Sequence, residues 1–360
     1  MFKTQGMQKA RGFSLVELMV GLVIGMVGVV IMMQIFSVSE GYKRSTTGGD
    51  DAQNNGAISL YGLQRDLRQA GQGSYSFTDN AAAANAYALI GCNLTLRAGV
   101  TVNALGPVTI NHPDIPDGDA NTDTLLVFYG NGNDGPEGDR IEAQPATTTY
   151  TLAGFAVAAS APSVSFSAND RVVAHPTPRP SPCNLTMESV TAVAISNVTV
   201  GTGVAGMTGG ALFNLGQAPR LIAYAVRNGS LTMCDYMVND CAGAVGAQWV
   251  QLASNVVSLR AQYGRDTTAG TMDGTVDVYD QTTPANVCQW VRMRAIRVAV
   301  VARSAQLEKD NVASAPVWGG AASQPIDLSD DADWQRYRYK TFETVVPLRN
   351  VAWMGVQAGC

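Results

Sequence analysis

Histidine is nearly absent from this chain. His112 and His175 are the only two in 360 residues, each followed by proline and far in sequence from any obvious catalytic neighbour. A histidine-centred nucleophile–base pair or zinc site is therefore not expected. No Cys-x-x-Cys pair exists either, which argues further against structural zinc. Basic residues are outnumbered, 24 against 29 acids, for a net charge of −5, so bulk charge does not favour nucleic acid as a partner; only a local basic patch could. Aromatic residues make up only 7% while glycines number 37, so many turns are expected. No cysteine precedes Cys92, no proline lies between residues 13 and 60, and no charged or strongly polar side chain lies between Leu18 and Met33.

That last absence is informative. Residues 13–36 read FSLVELMVGLVIGMVGVVIMMQIF. As a helix they would span about 36 Å, enough to cross a bilayer core. A core helix of a soluble domain would carry a polar stripe, and this segment is apolar all round. A basic start (Lys3, Lys9, Arg11) precedes it and favours a cytoplasmic amino terminus, although Lys43 and Arg44 follow the helix. Ordinary secretory signals are cut after their apolar run. Here the candidate junction, Gly12–Phe13, comes before it, so cutting leaves the helix on the mature chain. Losing the three leader cations would take the net charge from −5 to −8.

Glu17 interrupts the apolar helix. A carboxylate costs about 2–3 kcal/mol at the centre of a membrane helix and less near its end. Cleavage before Phe13 would create an amine one helical turn away, and the amine of a neighbouring copy could neutralise Glu17. The plainer reading leaves Glu17 solvated at headgroup level. Gly21 and Gly25 form a GxxxG step, with Gly28 following. It serves either close helix packing or ordinary glycine tolerance in a membrane span.

The stretch Gly12-Phe13-Ser14-Leu15-Val16-Glu17-Leu18 resembles the cleavage and methylation signature of type IV pilins and type II secretion pseudopilins. In that family a prepilin peptidase cuts after the glycine and methylates the new amino terminus, and the glutamate helps subunits join the filament. The resemblance implies those roles for Gly12, Phe13 and Glu17. The missing proline kink departs from many major pilins. Later stretches resemble the PilW group of minor pilins. They are Arg65–Gly71 (RDLRQAG), the strand at Asp123, the Tyr224–Leu231 hairpin, Tyr263-Gly264 with Asp277–Tyr279, Ala295–Ser304 (AIRVAVVARS) and Pro347–Asn350. The resemblance implies a low-abundance subunit that primes or caps a type IV pilus. Its partners would be other minor and major pilins, the prepilin peptidase and the inner membrane, with the carboxyl domain in the periplasm and a place near the pilus tip. A secretion pseudopilin and a displayed adhesin are the rivals. No enzymatic activity and no cofactor are expected.

The expected fold is α+β and pilin-like. Residues 1–12 form a leader, 13–36 a membrane helix, 37–74 a polar segment and an amphipathic helix, and 75–360 a β-rich extracytoplasmic domain. Gly48-Gly49 and Asn54-Asn55-Gly56 predict a break after the membrane helix, since each glycine costs about 1 kcal/mol. A second helix is predicted from Ala57 to Ala70, with Leu60, Leu63 and Leu67 on one face and Gly71 ending it. Strands are predicted at Asp123–Tyr129, Leu221–Val226, Ser230–Cys234 and Tyr337–Val346, with Asn228-Gly229 as a two-residue hairpin turn. The apolar phase flips near Ala295–Ile296, which predicts a bulge.

Other motifs are weaker. Gly201–Gly206 matches GxGxxG, but no helix is expected after it, so a glycine-rich loop is the reading. Asp117, Asp119, Asn121 and Asp123 alternate as calcium ligands can, but Thr122 and Phe128 stand where the loop needs glycine and an acid. Asp266, Asp273, Asp277 and Asp280 form a looser cluster. Solvated acidic turns are the simpler expectation. The six cysteines, Cys92, Cys183, Cys234, Cys241, Cys288 and Cys360, predict disulfides in an oxidising compartment, with buried thiols as the alternative. Of the possible pairs, Cys234–Cys241 is favoured because it brackets a short turn. Cys360 would tie down the chain end, to Cys288 or an earlier cysteine.

Overall fold

The computed structural model describes residues 12–74, 89–132, 138–153, 165–242, 248–320, 325–353, 355 and 360. The leader cations and the segment after Tyr75, where β structure was expected to begin, lie outside the described residues. Helix α1 (Leu15–Gln69) is continuous over 55 residues, about 80 Å at 1.5 Å per residue. The expected break across residues 37–56 is therefore overturned. The reason lies in what the glycines touch. Gly48, Ala52, Gly56, Ser59, Leu63, Asp66 and Ala70 recur at helical spacing and are all buried. A Cβ added at Gly56 would lie 2.1 Å from the Phe342 ring, and one at Gly48 would lie 3.0 Å from Ser304 Cβ. The small residues let the helix lie close on the sheet, and that packing offsets their poor helix propensity.

The strands in chain order are β1 (Asn93–Arg97), β2 (Val100–Val102), β3 (Val108–Ile110), β4 (Leu125–Tyr129), β5 (Asp139–Ala146), β6 (Thr149–Leu152), β7 (Arg171–His175), β8 (Asn184–Ala194) and β9 (Asn197–Val200). They continue as β10 (Ala211–Gly216), β11 (Arg220–Arg227), β12 (Ser230–Asp235), β13 (Val250–Ser254), β14 (Val256–Arg265), β15 (Val278–Asp280), β16 (Met293–Arg303) and β17 (Tyr339–Pro347). Two short helices, α2 (Val287–Val291) and α3 (Arg349–Ala352), flank β16 and β17 in sequence.

An antiparallel sheet β13-β12-β11-β4-β3 lies at the centre of the domain. Its inner strands are apolar on both faces, as a sheet covered on both sides requires. In β4, Leu125, Val127 and Tyr129 enter one core, while Leu126 and Phe128 enter another. The first core also takes Leu63 and Leu67 of α1 together with Ile296, Val298 and Val300 of the sheet β15-β14-β16-β17. Asn228 and Gly229 both have positive φ (51° and 64°), the conformation of a type I′ hairpin turn. In β16, Met293 faces Arg265 and Ala295 faces Gly264, so Arg294 is the extra, bulged residue.

The third sheet closes on itself. Strands β7, β8, β9, β6, β5 and β10 form a ring in which every neighbouring pair is antiparallel. Its interior holds Ile141, Tyr150, Leu152, Val172, Val198 and Leu212, and closure removes the sheet edges. This small barrel is inserted between β4 and β11, which pair with each other. β1 and β2 extend it along β8.

Two predictions follow from these contacts. Gly49→Ala, where an added Cβ meets nothing within 4 Å, should stabilise by up to about 1 kcal/mol. Gly56→Ala should instead destabilise by about 1–3 kcal/mol, and a Phe342→Ala background should shrink that penalty. Thermal unfolding of the detergent-solubilised chain measures both. Inside the barrel wall Glu188 is 8% exposed, neither of its carboxylate oxygens has a hydrogen-bond partner among the described residues, and burial raises its pKa above 4.5. The folded state thus holds this proton more tightly than the unfolded chain. The stability it contributes is present below 4.5 and is lost as pH rises past the folded-state value. Glu188→Gln should stabilise the domain at neutral pH and flatten that loss in an unfolding series run from acid to neutral pH.

Candidate functional site

The candidate site is α1 itself, in two halves. Its amino end is bare. Gly12 and Phe13 precede the helix, and Phe13 is 82% exposed. Extended Ser14 (φ −67°, ψ 142°) stands at the N-cap, and its carbonyl accepts from the Leu18 N–H at 3.1 Å. Glu17 lies in the first turn, where the helix dipole favours a carboxylate. An added Cβ at Gly21, Gly25 or Gly28 would meet nothing within 4 Å. The helix is long and apolar enough to cross a membrane, and none of its most apolar window is buried against the rest of the chain.

The carboxyl half is clamped. Asp66 is fully buried on the helix face that meets the central sheet. Its carboxylate accepts a hydrogen bond from Tyr129 Oη of β4 at 3.2 Å and one from Tyr224 Oη of β11. Arg65 Nε donates to the same group at 2.9 Å, and that bond raises the guanidinium pKa further. Burial, and then the Asp66 charge, push Tyr129 up to about 12 and Tyr224 higher still. Both phenols therefore keep their protons and donate. At the helix end, Asn350 Nδ2 of α3 donates to the carbonyls of Gln69 (2.9 Å) and Ala70 (3.2 Å). It satisfies acceptors that a helix terminus otherwise leaves open. The Gly71 N–H donates to Phe128 O at 2.8 Å, joining the exit of α1 to β4.

Sequence reasoning placed Leu63 and Leu67 on the buried face; it singled out the stretches that hold Asp66 and Asn350 by resemblance but gave neither residue a role. The available signal was the spacing 52, 56, 59, 63, 66, 70, in which an acid falls on the buried stripe. The acidic motifs are solvated turns only in part: Asp117, Asn121, Asp273 and Asp277 are exposed, whereas Asp123 and Asp266 are buried. Asp119 accepts the backbone N–H groups of Asn228 and Gly229, both at 2.8 Å, and so holds the hairpin turn. Asp123 is 3% exposed and accepts from Asn111 Nδ2, Ala261 N and Gln281 Nε2, joining two sheets. Asn121 Nδ2 donates to Asp330, and the Asp117 carbonyl accepts from Arg227. Asp266 is likewise buried, accepting from Gly274 N and Thr268 N. These oxygens serve as internal braces. Gly201–Gly206 lies between β9 and β10, with Gly203 at φ 72° pressed on Thr147.

The cysteines are paired Cys92–Cys183, Cys234–Cys241 and Cys288–Cys360. The last pair fixes the chain end beside α2, where Arg292 Nε also donates to the Cys360 carbonyl. The fold groups His175 with cysteines, which nothing in the sequence pattern indicated: a ring nitrogen lies within 4.8 Å of the Cys92 and Cys183 sulfurs. Asp66→Ala should cost about 3 kcal/mol, because it strands two buried hydroxyls. Asp66→Asn, which keeps one acceptor oxygen, should cost about half that. Adding Tyr129→Phe and Tyr224→Phe to Asp66→Ala should recover part of the loss, as denaturant unfolding would show.

Comparison with known proteins finds two family models along the chain. Residues 7–33 match the prokaryotic N-terminal methylation motif. Residues 223–350 match the type IV pilus-assembly protein W (PilW) family, from β11 to the Asn350 clamp and excluding the inserted barrel. No curated protein matches the chain significantly. Among solved structures, a type IV-like pilin from Thermus thermophilus is similar at 14% identity, covering 51% of this chain and 86% of its own, with a TM-score of 0.21. A score that low does not establish a shared arrangement. One chain thus carries a region matching the N-terminal methylation motif at its amino end and a region matching the PilW family in its carboxyl half.

Proposed function

We propose that the chain is a minor pilin that primes or caps a type IV pilus together with other pilins. The observation that carries the reading is the PilW region, residues 223–350, downstream of the methylation motif on a chain whose apolar helix is bare. Its work is assembly, without enzymatic chemistry of its own. A helix exposed on all sides needs lipid or other helices around it, and small residues at Gly21, Gly25 and Gly28 suit close approach by a neighbour. Before assembly the helix anchors the chain in the inner membrane with its domain on the periplasmic side. A prepilin peptidase cuts between Gly12 and Phe13. The new amine of one subunit then meets Glu17 of another, replacing a costly lone carboxylate by a pair.

Mass spectrometry of the mature protein should find Phe13 as the first residue, N-methylated. A mature chain beginning beyond the helix would end this reading. Glu17→Ala should leave membrane insertion intact while reducing co-purification with other pilins and lowering pilus number. Unchanged partner recovery and pilus number would remove Glu17 from assembly.

A further inference from the structure

Three strand ends meet at one end of the barrel. β1 runs parallel to β8, and β7 runs antiparallel to it, so the start of β1, the start of β8 and the end of β7 share an edge. These ends carry Cys92, Cys183 and His175. Among the described residues this is the one place where three such metal-ligating side chains converge, all donor atoms lying within 4.8 Å of one another. His175 and Cys92 are fully buried, and Cys183 is partly buried. His175 Nδ1 lies 2.8 Å from the Pro176 carbonyl. A carbonyl only accepts, so Nδ1 carries the proton and Nε2 presents a lone pair, the tautomer that a metal takes.

We propose that the thiol form of this chain binds a zinc-class divalent ion through Cys92 Sγ, Cys183 Sγ and His175 Nε2, so that metal and disulfide are alternative occupants of one place. The exchange balances. An external dithiol reduces the bond, passing two electrons and two protons to the sulfurs and becoming a disulfide itself. The ion then displaces the two thiol protons, and the neutral imidazole loses none. Two thiolates cancel the charge of the ion, so no net charge is buried. Zinc–sulfur bonds of about 2.3 Å and zinc–nitrogen bonds of about 2.0–2.1 Å require donors roughly 3.3–3.8 Å apart. After reduction, side-chain rotation can bring the three donors to that spacing, since all of them lie within 4.8 Å of one another. The fourth position is left to water. Such an ion would hold β1 to the barrel, joining residues 91 apart in sequence, before oxidation fixes the same contact covalently. The inference is independent of the pilin reading.

The test uses the full mature chain in detergent, reduced by a phosphine without oxygen and titrated with cobalt(II), then zinc. One equivalent of cobalt should give a thiolate-to-cobalt charge-transfer band that zinc abolishes. His175→Gln should weaken cobalt binding roughly tenfold or more, and the oxidised chain should show no band. In the reduced wild-type chain, zinc should shield Cys92 and Cys183 from alkylation while leaving Cys234, Cys241, Cys288 and Cys360 reactive, a readout that needs no variant to fold. No band in the reduced wild type, an equal band in Cys92→Ser/Cys183→Ser, unchanged affinity in His175→Gln, or equal alkylation of all six cysteines with and without zinc would each overturn the proposal.

Discussion

One buried carboxylate decides how the helix meets the domain. Asp66 sits at zero exposure, and its charge is tolerated there because two tyrosine hydroxyls and a guanidinium reach it. Hydrogen bonds to an ionised buried acceptor are among the stronger ones, and leaving them unmade is costly. The arrangement specifies rotation as well as position. A helix turned by one residue would move Asp66 off the tyrosine pair and lift Leu63 and Leu67 from the core. Asn350 adds a second constraint by binding the last carbonyls of α1. The exit of the helix, the central sheet and the carboxyl-terminal segment are thereby held in one register.

From that fixed end the helix projects some 80 Å in all, and its two halves meet opposite demands. The carboxyl half lies close on a sheet, so its buried face is lined with glycine, alanine and serine until the leucines begin. The amino half has no internal partner and is apolar on every side. The same residue type serves both halves differently. Gly48 and Gly56 are filled against Ser304 and Phe342, whereas Gly21 and Gly25 stand open. The inserted barrel adds bulk outside the PilW region without disturbing the β4–β11 pairing it interrupts.

Much of this was legible beforehand. The long apolar helix shows because sixteen consecutive residues from Leu18 to Met33 lack polarity. The hairpin shows because Asn-Gly suits two positive φ angles. The Cys234–Cys241 pairing coincides with the spacing argument because that bond closes a local loop. The continuity of α1 was not legible, because propensity counts Gly48 and Gly56 as breaks and cannot see the ring and the serine packed on them. The barrel was missed because its strands pair across long separations and its alternation is diluted by threonine and alanine. Asp123 read as a solvated turn because its partners, Asn111, Ala261 and Gln281, come from three different segments. His175 and the Cys92–Cys183 pair come together through the pairing of β8 with both β1 and β7, which no local pattern shows.

The central claim is that the bare half of α1 is completed by other pilin helices. A photo-crosslinking residue at Ile24, 66% exposed on the apolar half, tests it most directly in cells assembling pili. The account predicts adducts that mass spectrometry identifies as the apolar amino-terminal segments of other pilins. Adducts with lipid alone, in cells whose pili are intact, would contradict it.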